Sequence, residues 1–138
     1  SIWRPCIMAS ILRVNTLTDT SSNNSIATSF VFSGSAKAWA KIAADGASIL
    51  DSFNVSSHDD DGTGDGGIHI NNDMDSANYV IQLTVDDGGA GSSVNSVEVT
   101  NDTQAAGSFD YENNYVNSVE NRVAFNVDRY ITVFGDLA

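Results

Sequence analysis

The chain has 138 residues and a formal net charge of −12 at pH 7. A chain of this length is typical of one domain, which buries roughly two thirds of the surface that its unfolded form exposes. The negative field of so acidic a monomer repels phosphate backbones and anionic lipid headgroups, which argues against nucleic acid and membranes as partners. The single cysteine, Cys6, excludes an intrachain disulfide and a cysteine-based zinc site.

The chain is predicted to consist of an N-terminal extension and arm over residues 1–24 and a β domain over residues 25–138. Met8 followed by alanine and serine is typical of a translation start. We therefore interpret residues 1–7 as an extension or an alternative initiation product, and residues 8–24 as an extended arm.

The arm contains a short apolar group made of Ile11, Leu12 and Val14, which a polar spacer over residues 19–25 separates from the β domain. These side chains are too few to build a core of their own. Burying each aliphatic side chain is worth about 1.5–3 kcal/mol, so we predict that they bind a neighbouring subunit or a capsid surface.

Short bursts of β-branched and aromatic residues, bounded by turn-forming residues, predict about eight short strands in the β domain. Val123, Phe125 and Val127 alternate with mostly polar residues, as a half-buried strand requires. This spacing predicts an all-β fold, either a single antiparallel sandwich or a small barrel. The predicted strands cover residues 26–32, 52–57, 67–71, 79–85, 94–100, 108–112, 122–128 and 130–134.

Residues 36–44 allow two interpretations. Their alanines favour a helical turn that ends at Asp45-Gly46. The alternation of Trp39 and Lys41 with smaller apolar residues fits a strand equally well. Turns are predicted over residues 59–66, 86–91 and 101–107, where Asp and Gly supply the required backbone conformations.

The Gly-rich segment from residue 58 to residue 67 contains clustered carboxylates, the ligand type that Ca²⁺ prefers. The candidate metal ligands are Asp59, Asp61 and Asp65. When Asp59 is placed at the first position of a calcium-binding helix-loop-helix, however, Ile70 occupies the position of the bidentate glutamate. We therefore interpret the segment as a solvated hairpin turn and predict neither a metal nor a cofactor.

The sequence contains no Gly-x-Ser-x-Gly elbow that would expose a nucleophile, and no motif that marks a general base. His69 lies between two isoleucines, which favours a solvent-facing strand residue over a catalyst. A glycosidase pair drawn from Glu98, Glu112, Glu120 and the aspartates stays open, because its carboxylate separation depends on the fold. We predict that the protein is not an enzyme and has no catalytic residues.

Aromatic residues offer apolar area for an interface or for stacking on sugars. Core packing is the simpler interpretation for most of them. Tyr111 and Tyr115, which flank Glu112 and two asparagines, are predicted to be the most exposed and are therefore candidate interface residues.

Several ordered fragments of the sequence resemble a module found in tail-fibre-like and other structural proteins of marine and cyanobacterial tailed phages. The chain departs from that pattern at two places. It has His58 where the family usually has an apolar residue, and it has Gly66-Gly67 where the family has an aromatic-led strand directly after the turn. The resemblance implies a virion structural role and self-association, commonly as a trimer, and no catalytic residues. The fragments cover residues 11–19, 36–39, 51–57, 61–65, 78–80 and 135–138.

The sequence therefore predicts a non-enzymatic protein on the surface of a tailed-phage virion that binds other virion proteins in the capsid or the tail. A capsid decoration protein is the favoured interpretation, and a tail-fibre or receptor-binding appendage is the alternative. A hypothesis of another class is a carbohydrate-binding module that binds host surface glycans through the exposed tyrosines, and Ca²⁺ through the loop at residues 59–65.

Overall fold

The computed structural model describes residues 13–22, 24–87, 94–100, 102–116, 119 and 121–138. The chain divides into two units, and the boundary in the sequence lies between Phe32 and Ser33. Within the described residues, no helix has the length and apolar character needed to cross a membrane.

Unit 1, the part that ends at Phe32, contains a short hairpin. Strands β1 (Thr16–Thr18) and β2 (Ser25–Ala27) pair antiparallel, with Leu17 opposite Ile26. The carboxylate of Asp19 accepts hydrogen bonds from side chains within the connecting turn. The arm predicted to be extended thus folds back on itself over these residues.

Helix α1 (Thr28–Gly34) follows β2 directly and has no buried residue. The prediction of a strand over residues 26–32 is therefore wrong beyond Ala27. The pairing of β2 with β1 ends there, and both the amide and the hydroxyl of Thr28 donate to the carbonyl oxygen of Asn15. Backbone groups that have no further strand partner are satisfied locally by a helical turn.

Unit 2 contains two antiparallel sheets. Sheet I has the order β4–β3–β11–β7, and sheet II has the order β10–β9–β6–β5, with β8 paired to β9 as well. Their strands are β3 (Ala38–Ile42), β4 (Ile49–Phe53), β5 (Val55–Gly62), β6 (Asp65–Ile70), β7 (Val80–Val85), β8 (Val94–Val99), β9 (Ser108–Val116), β10 (Arg122–Ala124) and β11 (Arg129–Phe134).

The core lies between the two sheets, so the prediction of an all-β sandwich is confirmed. Each strand contributes alternate residues to it, as period-2 geometry requires. The buried residues that form this core cluster are Ala38, Ala40, Ile42, Ile131 and Val133 from sheet I, Ile68, Ile70, Phe109 and Tyr111 from sheet II, and Met74 and Tyr79 from the segment between β6 and β7.

A single residue, Asn54, separates β4 in sheet I from β5 in sheet II. Its φ of 55° lies in the left-handed region, which asparagine tolerates better than most residues. Its side-chain amide donates to the carbonyl of Lys37 at 2.9 Å, and its Oδ1 accepts from the backbone amide of Asn72 at 2.8 Å. The strand predicted over residues 52–57 is therefore two strands in different sheets.

Of the two interpretations of residues 36–44, the strand is correct, because Trp39 and Lys41 face outward in β3 while the intervening alanine is buried. Two further predictions of local structure are corrected. The turn predicted over residues 59–66 is confined to Thr63 and Gly64, because the ladder between β5 and β6 continues almost to the tip. Strand β10 is shorter than predicted, since it ends at Ala124.

Gly64 explains why the hairpin tip is so tight. Its φ is 82°, and a Cβ atom there would lie 2.5 Å from the carbonyl oxygen of Asn113. The backbone of the tip donates to Asn126 Oδ1 and accepts from the Asn113 amide. Glycine at this position lets the tip contact β9 closely.

Replacement of Asn54 tests the crossover. Asn54→Ala should lower the free energy of unfolding by about 2 kcal/mol or more, because it loses the side-chain hydrogen bonds and adds a left-handed penalty of about 1–2 kcal/mol. Asn54→Gly keeps access to positive φ and should lose less. Equal losses in chemical denaturation of the two variants would show that backbone conformation does not matter here.

Candidate functional site

The outer face of sheet II carries a row of carboxylates. Asp65 of β6 and Glu98 of β8 both stand opposite Glu112 of β9, so all three lie on the same face. Asp110 lies two residues away on β9 and points to the same side. Like charges at directly opposed positions destabilise a sheet, so this face contains unfavourable electrostatics.

One cation partly neutralises the row. Arg122 forms ion pairs with Glu98 and, at 3.6 Å, with Glu112. Asp65 lies farther along the row, where its own desolvation, Glu112 and Asp61 raise the pKa of its carboxyl above the usual value. The ionised form of Asp65 is therefore less favoured in the folded protein than in the unfolded chain.

A shallow cleft of about 340 Å³ lies along this row, between Asp61, Asp65, Asp110 and Glu112. Its carboxylates attract cations and repel anions. Among the described residues, however, no group of three or more histidine, cysteine, aspartate or glutamate side chains is arranged to hold a metal ion.

The three candidate metal ligands do not form one cluster. Asp61 and Asp65 line the cleft. Asp59 is engaged elsewhere, since its Oδ2 lies 2.7 Å from Nε2 of His69 on the neighbouring strand. His69 is partly exposed on strand β6, in agreement with its prediction as a solvent-facing strand residue.

A polar cluster lies on the inner side of sheet II. His58 Nε2 lies 2.7 Å from the hydroxyl of Tyr111, and the two rings stack with centroids 5.9 Å apart. The guanidinium of Arg129 lies 5.5 Å from the Tyr111 ring centre and donates to Asn126 Oδ1 at 2.8 Å. Gly66 makes room for this cluster, because a Cβ atom there would lie 2.6 Å from His58 Nε2.

Burial governs the protonation of this cluster. Tyr111 and Arg129 are each only 1% exposed. Desolvation raises the pKa of Tyr111 to about 12, and desolvation followed by the charge of Arg129 lowers the pKa of His58, against the opposing effects of Ala47, Asp60 and Asp59. His58 therefore remains neutral at a pH where an exposed histidine begins to bind a proton.

The outer face of sheet I differs from that of sheet II, because aromatic residues dominate it. Trp39 of β3 stands opposite Phe53 of β4, and the two side chains are 37% and 55% exposed. The next outward-facing pair, two residues further along the strands, is Lys41 opposite Asp51. The ammonium of Lys41 binds the carboxylate of Asp128 at 2.9 Å.

The remaining positions on this outer face of sheet I come from β11 and β7. Tyr130 lies beside Lys41, whose ammonium is 5.2 Å from the ring centre. Thr132 stands opposite both Trp39 and Gln82, and Val80 is exposed at the far edge. We call the exposed outer surface of strands β4, β3, β11 and β7 the aromatic face.

The predicted interface residues lie in different environments. Ile11 and Leu12 are outside the described residues, and Val14 is exposed in unit 1. The prediction that Tyr111 is exposed is wrong, because its strand turns that side chain into the core between the sheets. Tyr115 is half-buried and packs edge-on against Phe125, with ring centres 5.1 Å apart.

Sequence reasoning weighed Trp39 as an interface or sugar-stacking residue but favoured core packing, the usual role of large aromatic side chains, and it did not single out Phe53. One signal was present. In the segment from Ala38 to Ile42, the small and aliphatic residues occupy the buried positions, which leaves Trp39 on the same side as Lys41.

The comparisons with known proteins identify no relative. No family model, no curated protein and no solved structure matches this chain.

The acidic row yields a prediction for Asp65. Asp65→Asn should raise the free energy of unfolding at neutral pH by about 0.2–1 kcal/mol, because it removes one of two opposed charges. The gain should shrink as the pH falls, because the raised pKa lets the wild-type carboxyl bind a proton more readily in the folded state. Asp51→Asn is the matched control and should give no gain, since Asp51 stands opposite Lys41.

The interior cluster predicts a pH-dependent stability. A histidine whose pKa is lowered from 6.5 binds fewer protons when folded than when unfolded. The stability that neutral His58 contributes is therefore fully present above pH 6.5, and it is lost as the pH falls through the pKa of His58 in the folded protein. The unfolding free energy of wild type should fall faster than that of His58→Gln from about pH 7 to about pH 5 in urea denaturation. Parallel profiles would assign the pH dependence to other groups.

Proposed function

We propose that this chain is a non-enzymatic structural protein on the surface of a tailed-phage virion, where it binds other virion proteins. A capsid decoration protein is the favoured form of the proposal. The virion placement rests on the ordered fragments that resemble phage structural modules. Self-association belongs to the proposal, and the resemblance implies a trimer.

The observation that carries the proposal is the exposed apolar surface of unit 1. Leu17 and Ile26 are paired on the hairpin, yet both are more than two fifths exposed. Phe30 in helix α1 is 72% exposed, and Val14 and Val31 are exposed as well. A two-stranded hairpin of this size is marginally stable by itself, so a surface that covers these residues would stabilise unit 1.

The energetics favour attachment through these residues. Full burial of a leucine, isoleucine or phenylalanine side chain is worth about 1.5–3 kcal/mol. Several such side chains together offset part of the cost of immobilising a free protein, which is at least about 4 kcal/mol. Contiguous apolar surface on a small acidic protein typically marks a site of protein interaction.

The alternative placement is a tail fibre or receptor-binding appendage. Both placements use the same attachment chemistry, so the position of the chain on the particle separates them. Density for this chain on the capsid lattice in a virion reconstruction would support decoration, whereas density on the tail would support the appendage.

A carbohydrate-binding module is a second candidate function, and the aromatic face is the observation that favours it. Trp39, Phe53 and Tyr130 expose ring surface next to hydroxyl, amide and charged side chains. These residues replace Tyr111, which is buried, as the candidates for stacking on a sugar. Glycan-array binding that Trp39→Ala abolishes would support this function.

Attachment through unit 1 can be tested on particles that lack the protein. Phe30→Ser should reduce occupancy at limiting protein concentration by about tenfold or more, because one large apolar contact is worth at least about 1.4 kcal/mol. Val119→Ser is the matched control, since Val119 is 69% exposed but lies outside both unit 1 and the aromatic face. Occupancy would be measured by quantitative gel analysis of purified particles.

Two results would contradict the proposal. Equal occupancy by Phe30→Ser and wild type would show that unit 1 does not make the attachment. Failure of wild type to bind any particle preparation, with both variants correctly folded by circular dichroism, would remove the virion role itself.

A further inference from the structure

The aromatic face is less acidic than the outer face of sheet II. Its side chains include one cation, Lys41, and one carboxylate on a strand, Asp51, with Asp128 bound to the lysine. The outer face of sheet II instead carries the row that contains Asp65 and Glu112. In a chain with a net charge of −12, two copies therefore repel each other less through the aromatic face than through the outer face of sheet II.

The register between β3 and β4 is self-complementary. Trp39 stands opposite Phe53, and Lys41 stands opposite Asp51 on the same outer face. A two-fold axis parallel to the strands and midway between them would place β3 of one copy over β4 of the other. In such an isologous contact each pairing occurs twice.

We propose that the β3–β4 part of the aromatic face is a contact between two copies of this chain, related by that two-fold axis. Lys41 of each copy then faces Asp51 of the other, so the four charges alternate in sign. Trp39 of each copy faces Phe53 of the other, and the four rings form the centre of the contact. Aromatic residues at a charge-depleted centre are typical of protein interfaces.

Sheets that pack face to face cross at about −30° and lie about 10 Å apart. This crossing angle displaces the strands little near the centre of the contact. The pairings of Trp39 with Phe53 and of Lys41 with Asp51 are therefore retained. The intrachain ion pair of Lys41 with Asp128 and its contact with the Tyr130 ring orient the ammonium on this face.

The size of the contact limits its strength. Two strands of five residues cover about 10 by 17 Å. This is far below the roughly 800 Å² that each partner buries in a standard stable interface. The pair is therefore weak in dilute solution and is favoured at high local concentration, as among copies held on one particle.

Charge reversal on the full-length chain tests the pairing. Lys41→Glu would place two carboxylates face to face at both symmetric positions, and Asp51→Lys would do the same with two ammonium groups. Each variant alone should therefore weaken dimerisation by about tenfold or more. Sedimentation velocity over micromolar to millimolar concentrations would measure the dimerisation constant.

Mixing the two variants provides the decisive measurement. In a mixed pair, the glutamate introduced in one chain faces the lysine introduced in the other, and the native Asp51 faces the native Lys41. The equimolar mixture should therefore recover the wild-type dimerisation constant, although each component alone associates about tenfold more weakly or worse. Asp65→Lys makes the same change of charge on the opposite sheet and should leave dimerisation unchanged, and thermal melting checks that every variant is folded.

Several outcomes would overturn the inference. Wild type that stays monomeric at millimolar concentration excludes the contact. So does a mixture that remains monomeric while each component is folded. A trimer that forms equally well in both charge variants would show that self-association uses another surface. A monomer whose binding to a glycan array depends on Trp39 would assign the face to sugars.

Discussion

The left-handed conformation of Asn54 is the constraint on which the two faces of unit 2 depend. It lets the chain leave β4 and enter β5 without a connecting loop, so that one continuous segment belongs to both sheets. Phe53 just before it is exposed, whereas Val55 just after it packs against the core. The Asn54 side chain donates to the carbonyl oxygen of Lys37 and accepts from the backbone amide of Asn72, and these two hydrogen bonds hold this change of direction.

Every second residue of each strand points away from the core, and these outward residues differ in type between the two sheets. Strands β5, β6 and β9 place aspartate and glutamate outward, while β3, β4 and β11 place aromatic residues and Lys41 outward. The two outer faces therefore differ in charge. The outer face of sheet II places Asp65 opposite Glu112 and repels negatively charged surfaces, whereas the aromatic face places Asp51 opposite Lys41.

The sequence predicted the sandwich because alternation and turn residues are local signals. Val80–Val85 and Arg129–Phe134 are strands almost as predicted, since their apolar residues recur at every second position. It could not predict whether Tyr111 points inward, because the polar neighbours on both sides of it suggested exposure. The inward direction follows from the register of β9 with β6, which places Tyr111 opposite Gly66, and register is a long-range property.

The polar cluster between the sheets makes the stability of the protein depend on pH. Arg129 is buried and forms no ion pair with a carboxylate among the described residues, which is costly, and its stacking on Tyr111 and its bond to Asn126 offset only part of that cost. Protonation of His58 would add a second positive charge to the same interior. Protonation of His58, whose Nε2 lies 2.7 Å from the Tyr111 hydroxyl, would therefore lower the stability of the sandwich, which links its unfolding free energy to pH.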